Sequence, residues 1–133
     1  MAWEEIRAKA TGRGMPYGNQ WFEVPCVAVT KQGITLNAMY CDVFEIEAKS
    51  RVFILFDRER YAIGIRKAVN GEPIEGSYTV NRNTGKSNRP TLTITCADLA
   101  KRIADCRGMA FRARLNPSER VVEILLDPSN QTR

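Results

Sequence analysis

The 133-residue chain contains no histidine. That absence removes the imidazole base of Ser-His-Asp and Cys-His catalysis, and the facial His-carboxylate metal site. Cysteine is sparse: Cys26, Cys41, Cys96 and Cys106 form no C-x-x-C pair. Cys96 and Cys106 fall about 15 Å apart along one predicted helix, too far for a disulfide. The set reads as four buried, reduced thiols, with no metal and no cofactor expected. No apolar run approaches the ~20 residues of a membrane span, and "MAWEEIRAKA" lacks the apolar stretch of a secretory signal. The expectation is a cytoplasmic protein with no membrane partner. Lys, Tyr, Asp and Glu remain as acids or bases, so the composition disfavours an enzyme without forbidding one.

What the chain does have is positive charge. Twenty Lys and Arg stand against fifteen Asp and Glu, a net charge of +5, which attracts polyanions. An apolar fraction of 44% with 26% charged residues is ordinary for one folded domain of this length. The predicted class is α+β. A single domain (1–133) divides into an N-terminal arm (1–24), a first unit (25–69), a linker (70–76), a second unit (77–128) and a C-terminal tail (129–133).

The two units share a pattern. In the first, "VPCVAVT" alternates as a strand with Val27 and Val29, "KQG" turns, and Ile34 and Leu36 lie on one face of a short strand. Asn37 then stands at a helix N-cap position, and Met39, Val43, Phe44 and Ile46 recur at helical spacing. "RVFILFD" and "YAIGIRK" flank "DRER" as a hairpin. Asn70 to Gly76, with two glycines and Pro73, separates the halves. In the second, "SYTV" and "TLTIT" are strands around a polar loop, Thr95 takes the cap position, and Cys96, Leu99, Ile103 and Cys106 form the helical stripe. Gly108 stops that helix, and "MAFRARLN" and "RVVEILL" make a second hairpin around "NPSE". Ile34, Leu36 and Asn37 match Leu92, Ile94 and Thr95 at a constant offset. Asp57, Ile63 and Ile65 match Asn116, Val122 and Ile124 at an offset larger by one, so one inserted residue reconciles the halves.

Strand, cap, short helix and hairpin, in that order and twice over from Val27 to Asp127, resembles the half-unit of SpoVT/AbrB-like swapped-hairpin domains. The resemblance lies in element order: Asn37 and Thr95 stand where that family commonly has proline. It implies two tandem β-α-β-β units forming a mainly antiparallel curved sheet or barrel-like body with two short helices. It also implies an intramolecular pseudo-dimer, or a homodimer, of a kind that often binds DNA.

The candidate binding residues are basic. "NRNTGKSNRP" contains Gly85-Lys86-Ser87, but the residue where a phosphate-binding loop needs its first glycine is Val80, and Pro90 with a strand follows instead of a helix, so this is no nucleotide-triphosphate site. Arg82, Lys86 and Arg89 in the same loop, with no acid beside them, suit a phosphate backbone. Arg112 and Arg114 alternate with Phe111, Ala113 and Leu115 and therefore face away from the core. Lys101 and Arg102 add charge on the second helix. Trp3, Tyr17, Trp21 and Phe22 gather near the arm as a lid over the core or a partner-binding patch. The predicted function is a small non-catalytic binding protein, a nucleic-acid-associated regulator using the basic loop and hairpin of the second unit. The alternative is a protein-binding module or inhibitor of the type carried by phages or mobile elements.

Overall fold

The computed structural model describes residues 17–82 and 91–132. Along them the chain forms α1 (Gln20–Glu23), β1 (Cys26–Val29), β2 (Gly33–Leu36), α2 (Ala38–Val43), β3 (Arg51–Asp57), β4 (Ala62–Lys67), β5 (Tyr78–Thr79), β6 (Asn81–Arg82), β7 (Leu92–Thr95), α3 (Ala97–Arg102), β8 (Ala110–Arg112), β9 (Arg114–Asn116) and β10 (Val121–Leu125). Short 3₁₀ turns follow at Ala104–Cys106 and Pro128–Asn130. The α+β class is as expected, but there are two antiparallel sheets rather than one. They are ordered β6-β7-β2-β1-β8 and β5-β3-β4-β10-β9, and neither closes on itself. Among the described residues no helix is long and apolar enough to cross a membrane.

Two segments serve both sheets. Tyr78–Thr79 pairs with β3 in the second sheet, and two residues later Asn81–Arg82 pairs with β7 in the first. Ala110–Arg112 pairs with β1 in the first sheet, and Arg114–Asn116 pairs with β10 in the second. Buried Val80 and half-buried Ala113 stand at the two changeovers. The inner faces meet in one core, with Val27, Val29, Ile34, Leu36, Ile94 and Phe111 opposing Val52, Ile63, Ile65, Val122 and Ile124. Burying each such side chain contributes about 1.5–3 kcal/mol before entropy is counted.

β1 departs from its expected alternation: all four residues are buried. The preceding residues belong to the expected N-terminal arm (1–24). Gln20–Glu23 makes a helical turn, and the Cys26 thiol donates to the carbonyl of Val24 at 3.2 Å. Tyr17 packs on Trp21 with ring centroids 4.8 Å apart. Trp3, expected in the same group, lies outside the described residues.

The helix starts differ between the halves. Asn37 caps α2, its Oδ1 accepting from the Tyr40 N–H at 2.8 Å. Thr95 does not cap α3. It is the exposed last residue of β7, and Cys96 occupies the cap position without a side-chain bond. Asp98 in the first turn still favours the positive end of the helix. The stripe expected on α2 is also cut short: at six residues the helix buries only Tyr40, and Val43 is 53% exposed. The second stripe breaks near Ile103 into α3 and a 3₁₀ turn, yet Cys96, Leu99, Ile103 and Cys106 are all buried.

The linker at 70–76 is held in place. Arg66 donates from both Nη atoms to the Glu72 carboxylate at 2.9 and 2.8 Å, and its guanidinium lies 4.5 Å above the Phe53 ring centroid. A bidentate pair backed by an aromatic face is the strong form of an Arg–carboxylate contact.

Candidate functional site

One concave feature of the second sheet is a groove of about 390 Å³ on the face opposite the core. Strand register builds it. Leu55 lies opposite Gly64, Gly64 opposite Glu123, and Glu123 opposite Arg114. Gly64 forms the dip in this row. A β-carbon there would stand 2.9 Å from Val121 Cγ1 and 3.3 Å from Leu55 Cβ, so only glycine leaves the space between those side chains open. Leu55 is 47% exposed at the groove. Apolar Leu55, Ala62 and Val121 share the lining with four carboxylates, those of Asp57, Glu59, Glu119 and Glu123, and two guanidiniums, those of Arg58 and Arg60. The groove is thus acidic on a chain whose net charge is positive.

Glu123 is the anchoring group. Its side chain is only 8% exposed, a costly place for a charge unless it is paired. Its Oε1 accepts from Arg60 Nη2 at 3.0 Å and from Asn116 Nδ2 at 3.3 Å. Arg60 also donates from Nε to Asp57 Oδ2 at 2.7 Å. The bonds from Arg60 and Asn116 hold the Glu123 carboxyl below its usual range. Arg60 does the same to Asp57, Arg66 lowers Glu72 to about 2, and the Ser129 N–H lowers Asp127.

A depressed folded-state carboxyl pKa adds stability above the unfolded value of about 4.3, and that stability is lost as pH falls through the folded value. The urea midpoint is therefore expected to fall as pH drops from about 4.5 to about 2. Arg66→Gln should flatten that dependence by returning Glu72 toward its ordinary range. An identical acid profile in the variant would refute the assignment.

The described basic residues singled out in the sequence fall on four elements, β6, α3, β8 and β9. Arg82 lies on β6 at one edge of the first sheet and Arg112 on β8 at the other, four strand spacings or about 19 Å away. Arg112 has a structural role: its Nη2 donates to the Ser129 carbonyl at 2.7 Å, and Asn130 Nδ2 donates to the Arg112 carbonyl at 2.9 Å. These bonds clasp the C-terminal segment onto β8. Arg102 pairs with Asp98 at 3.3 Å, Lys101 is exposed on α3, and Arg114 is exposed beside Glu123. Lys86 and Arg89 lie outside the described residues.

Cys26 and Cys41 have no nucleophilic setting. Burial pushes Cys26 up to about 12 and Cys41 up to about 11, so both stay protonated near neutral pH. Among the described residues no three cysteine or carboxylate side chains are grouped to hold a metal ion.

Two signals of the groove were present in the sequence without being read as such: a glycine inside the apolar strand "YAIGIRK", and a lone Glu123 inside "RVVEILL". Neither names the other as its partner, because cross-strand register is not a local property. Comparison with protein-family models, curated proteins and solved structures finds no match for the chain.

Proposed function

We propose that this chain is a non-catalytic protein-binding module or inhibitor whose groove on the second sheet takes an extended, basic segment of a partner. The observation that carries this reading is the Leu55–Gly64–Glu123 row: an apolar dip beside a buried carboxylate, rimmed by Asp57, Glu59 and Glu119. A lysine or arginine side chain suits such a surface, its methylene stem lying on Leu55 and Val121 and its cationic head among the carboxylates. A second reading, a nucleic-acid-associated regulator, is favoured by the net charge of +5 and by exposed Arg82, Lys101 and Arg114. Their distribution over separate elements favours the groove.

A peptide alternating lysine and valine, an otherwise identical glutamate–valine peptide and mixed-sequence DNA and RNA separate the readings. The basic peptide is expected to bind at low salt and to weaken as salt screens the rim. Leu55→Lys and Glu119→Lys should each weaken it several-fold. Binding of nucleic acid with a steep salt dependence, and of neither peptide, would overturn the groove reading in favour of the second.

We further infer that the two sheets form a barrel-like body of two related units, arranged as a monomeric pseudo-dimer of the swapped-hairpin kind. Pairing registers support it. The offset that matches Ile34 with Leu92 carries the Ile34–Ile94 pair onto the Leu92–Leu36 pair, and the Ile63–Ile124 pair maps likewise onto Val122–Ile65. The hairpin turns agree as well. Asp57 Oδ1 accepts from the N–H groups of Glu59 and Arg60, as Asn116 Oδ1 accepts from those of Ser118 and Glu119. Tyr61 and Arg120, at matching positions, are both left-handed at φ 52 and 55. The two segments that change sheet would join the sheets at opposite sides. Failure of residues 34–67 and 92–126 to superpose in a crystal structure would remove this inference.

A further inference from the structure

A second cavity, of about 240 Å³, lies between α2 and the second sheet and is separate from the acidic groove. Its walls are apolar, with Ile65, Leu115 and Val122 from the strands facing Tyr40 and Phe44 from the helix and its C-terminal end. Two features set it apart from a packing defect. Tyr40 is fully buried, and its hydroxyl is buried with no hydrogen-bond partner. Burial pushes this phenol well above its usual range, so it is a neutral donor lacking an acceptor, which costs stability unless something supplies one. Lys67 and Arg120 also line the cavity, against the single acid Glu45. Lys67 Nζ donates to the Glu45 backbone carbonyl at 2.8 Å, leaving the net charge of the lining positive. No described residue pairs with the Arg120 guanidinium.

The matching corner of the other half, taken from the two-unit register, is filled by the chain itself. Tyr61, the counterpart of Arg120, packs on Phe56 with centroids 5.7 Å apart, and its hydroxyl donates to Asp105 and to the Arg102 carbonyl. The halves therefore differ in bonding at this corner.

We propose that the cavity beneath α2 binds a small amphipathic organic acid: a single apolar ring bearing a hydrogen-bond acceptor toward Tyr40 and an anionic group toward Arg120 and Lys67. A volume of this size is below that of drug-sized pockets and suits a one-ring ligand. The apolar walls take the ring, the phenol takes the acceptor, and the two cations select an acid over its neutral amide. This site stands independently of the peptide groove, because it shares no lining residue with it.

The test uses 3-(4-hydroxyphenyl)propionate, phenylpropionate and 3-(4-hydroxyphenyl)propionamide as probes, titrated into the full chain and followed by amide chemical shifts. The hydroxylated acid is expected to bind best, and loss of either its hydroxyl or its charge should weaken binding about five- to tenfold. Tyr40→Phe should abolish the preference for the hydroxylated acid while leaving thermal stability unchanged or raised, because the hydroxyl it removes has no partner to lose. Arg120→Gln should abolish the preference for acid over amide and leave the hydroxyl preference intact. Absence of shifts in the lining residues up to about 10 mM probe, equal binding of acid and amide, or marked destabilisation by Tyr40→Phe would each overturn the proposal.

Discussion

Replacing Asn37 with alanine is expected to destabilise the protein by about 3–5 kcal/mol, as a shift of the urea unfolding midpoint. This buried side chain uses its whole hydrogen-bonding capacity. Its Oδ1 accepts from the N–H groups of Tyr40 at 2.8 Å and Cys26 at 3.0 Å, and its Nδ2 donates to the carbonyls of Trp21 at 2.6 Å and Val24 at 2.7 Å. One residue thus caps α2, pins the start of β1 and ties down α1. Loss of a cap alone costs about 1 kcal/mol, and each backbone group left buried without a partner adds about 1–3 kcal/mol. Asn37→Asp keeps both acceptor bonds but faces a carboxylate toward two carbonyls, so at neutral pH it should be at least as damaging and should recover partly in acid. A loss below about 1 kcal/mol for the alanine variant would mean that Asn37 is only a cap.

The second large effect is expected at Gly33. It begins β2 opposite Thr95 of β7, and a β-carbon there would stand 2.2 Å from the Ile94 carbonyl oxygen and 2.9 Å from the Cys96 nitrogen. Both neighbours are backbone, so the clash is relieved only by moving β2 against β7. Gly33→Ala should cost about 3 kcal/mol, at the upper end for overpacking. Gly71 is the control. Its φ is also positive, at 82, but nothing lies within 4 Å of a β-carbon there, so alanine should cost only the ~1–2 kcal/mol of the left-handed conformation. Comparable losses at the two positions would show that contact with β7 is not what makes Gly33 costly. Amide hydrogen exchange in β2 and β7 should accelerate in Gly33→Ala and remain slow in Gly71→Ala.

Features governed by a few neighbouring residues were legible in the sequence. The hairpin over residues 51–67 follows from two apolar runs around "DRER", and the cap at Asn37 follows from a polar residue between a strand and a helical stripe. Thr95 was misplaced by the same logic, because register with Gly33 keeps it in β7 and leaves Cys96 to begin the helix. Gly33 reads locally as the end of a turn; the carbonyl that forbids any other residue comes from a strand some sixty positions later in the chain. Arg114 is exposed, whereas Arg112 is half-buried, and the alternation of the two carries no information about the Ser129 carbonyl that occupies Arg112. The cavity beneath α2 was hidden for a related reason: Tyr40 was not part of the expected helical stripe, and its lack of a partner becomes visible only when β9 and β10 close over it.

By itself, the sequence determined the α+β class, the local alternation of strands and short helices, and the excess of positive charge. Each depends on periodicity, turn chemistry or composition, which act over a few residues or over the whole chain without regard to position. The tertiary structure alone decided that there are two sheets, that residues 78–82 and 110–116 pass between them, that Gly64 opens a dip between Leu55 and Glu123, and that Tyr40 is buried without an acceptor. These follow from strand register and from packing between distant segments, and a one-residue change in register would send each of those side chains to the opposite face.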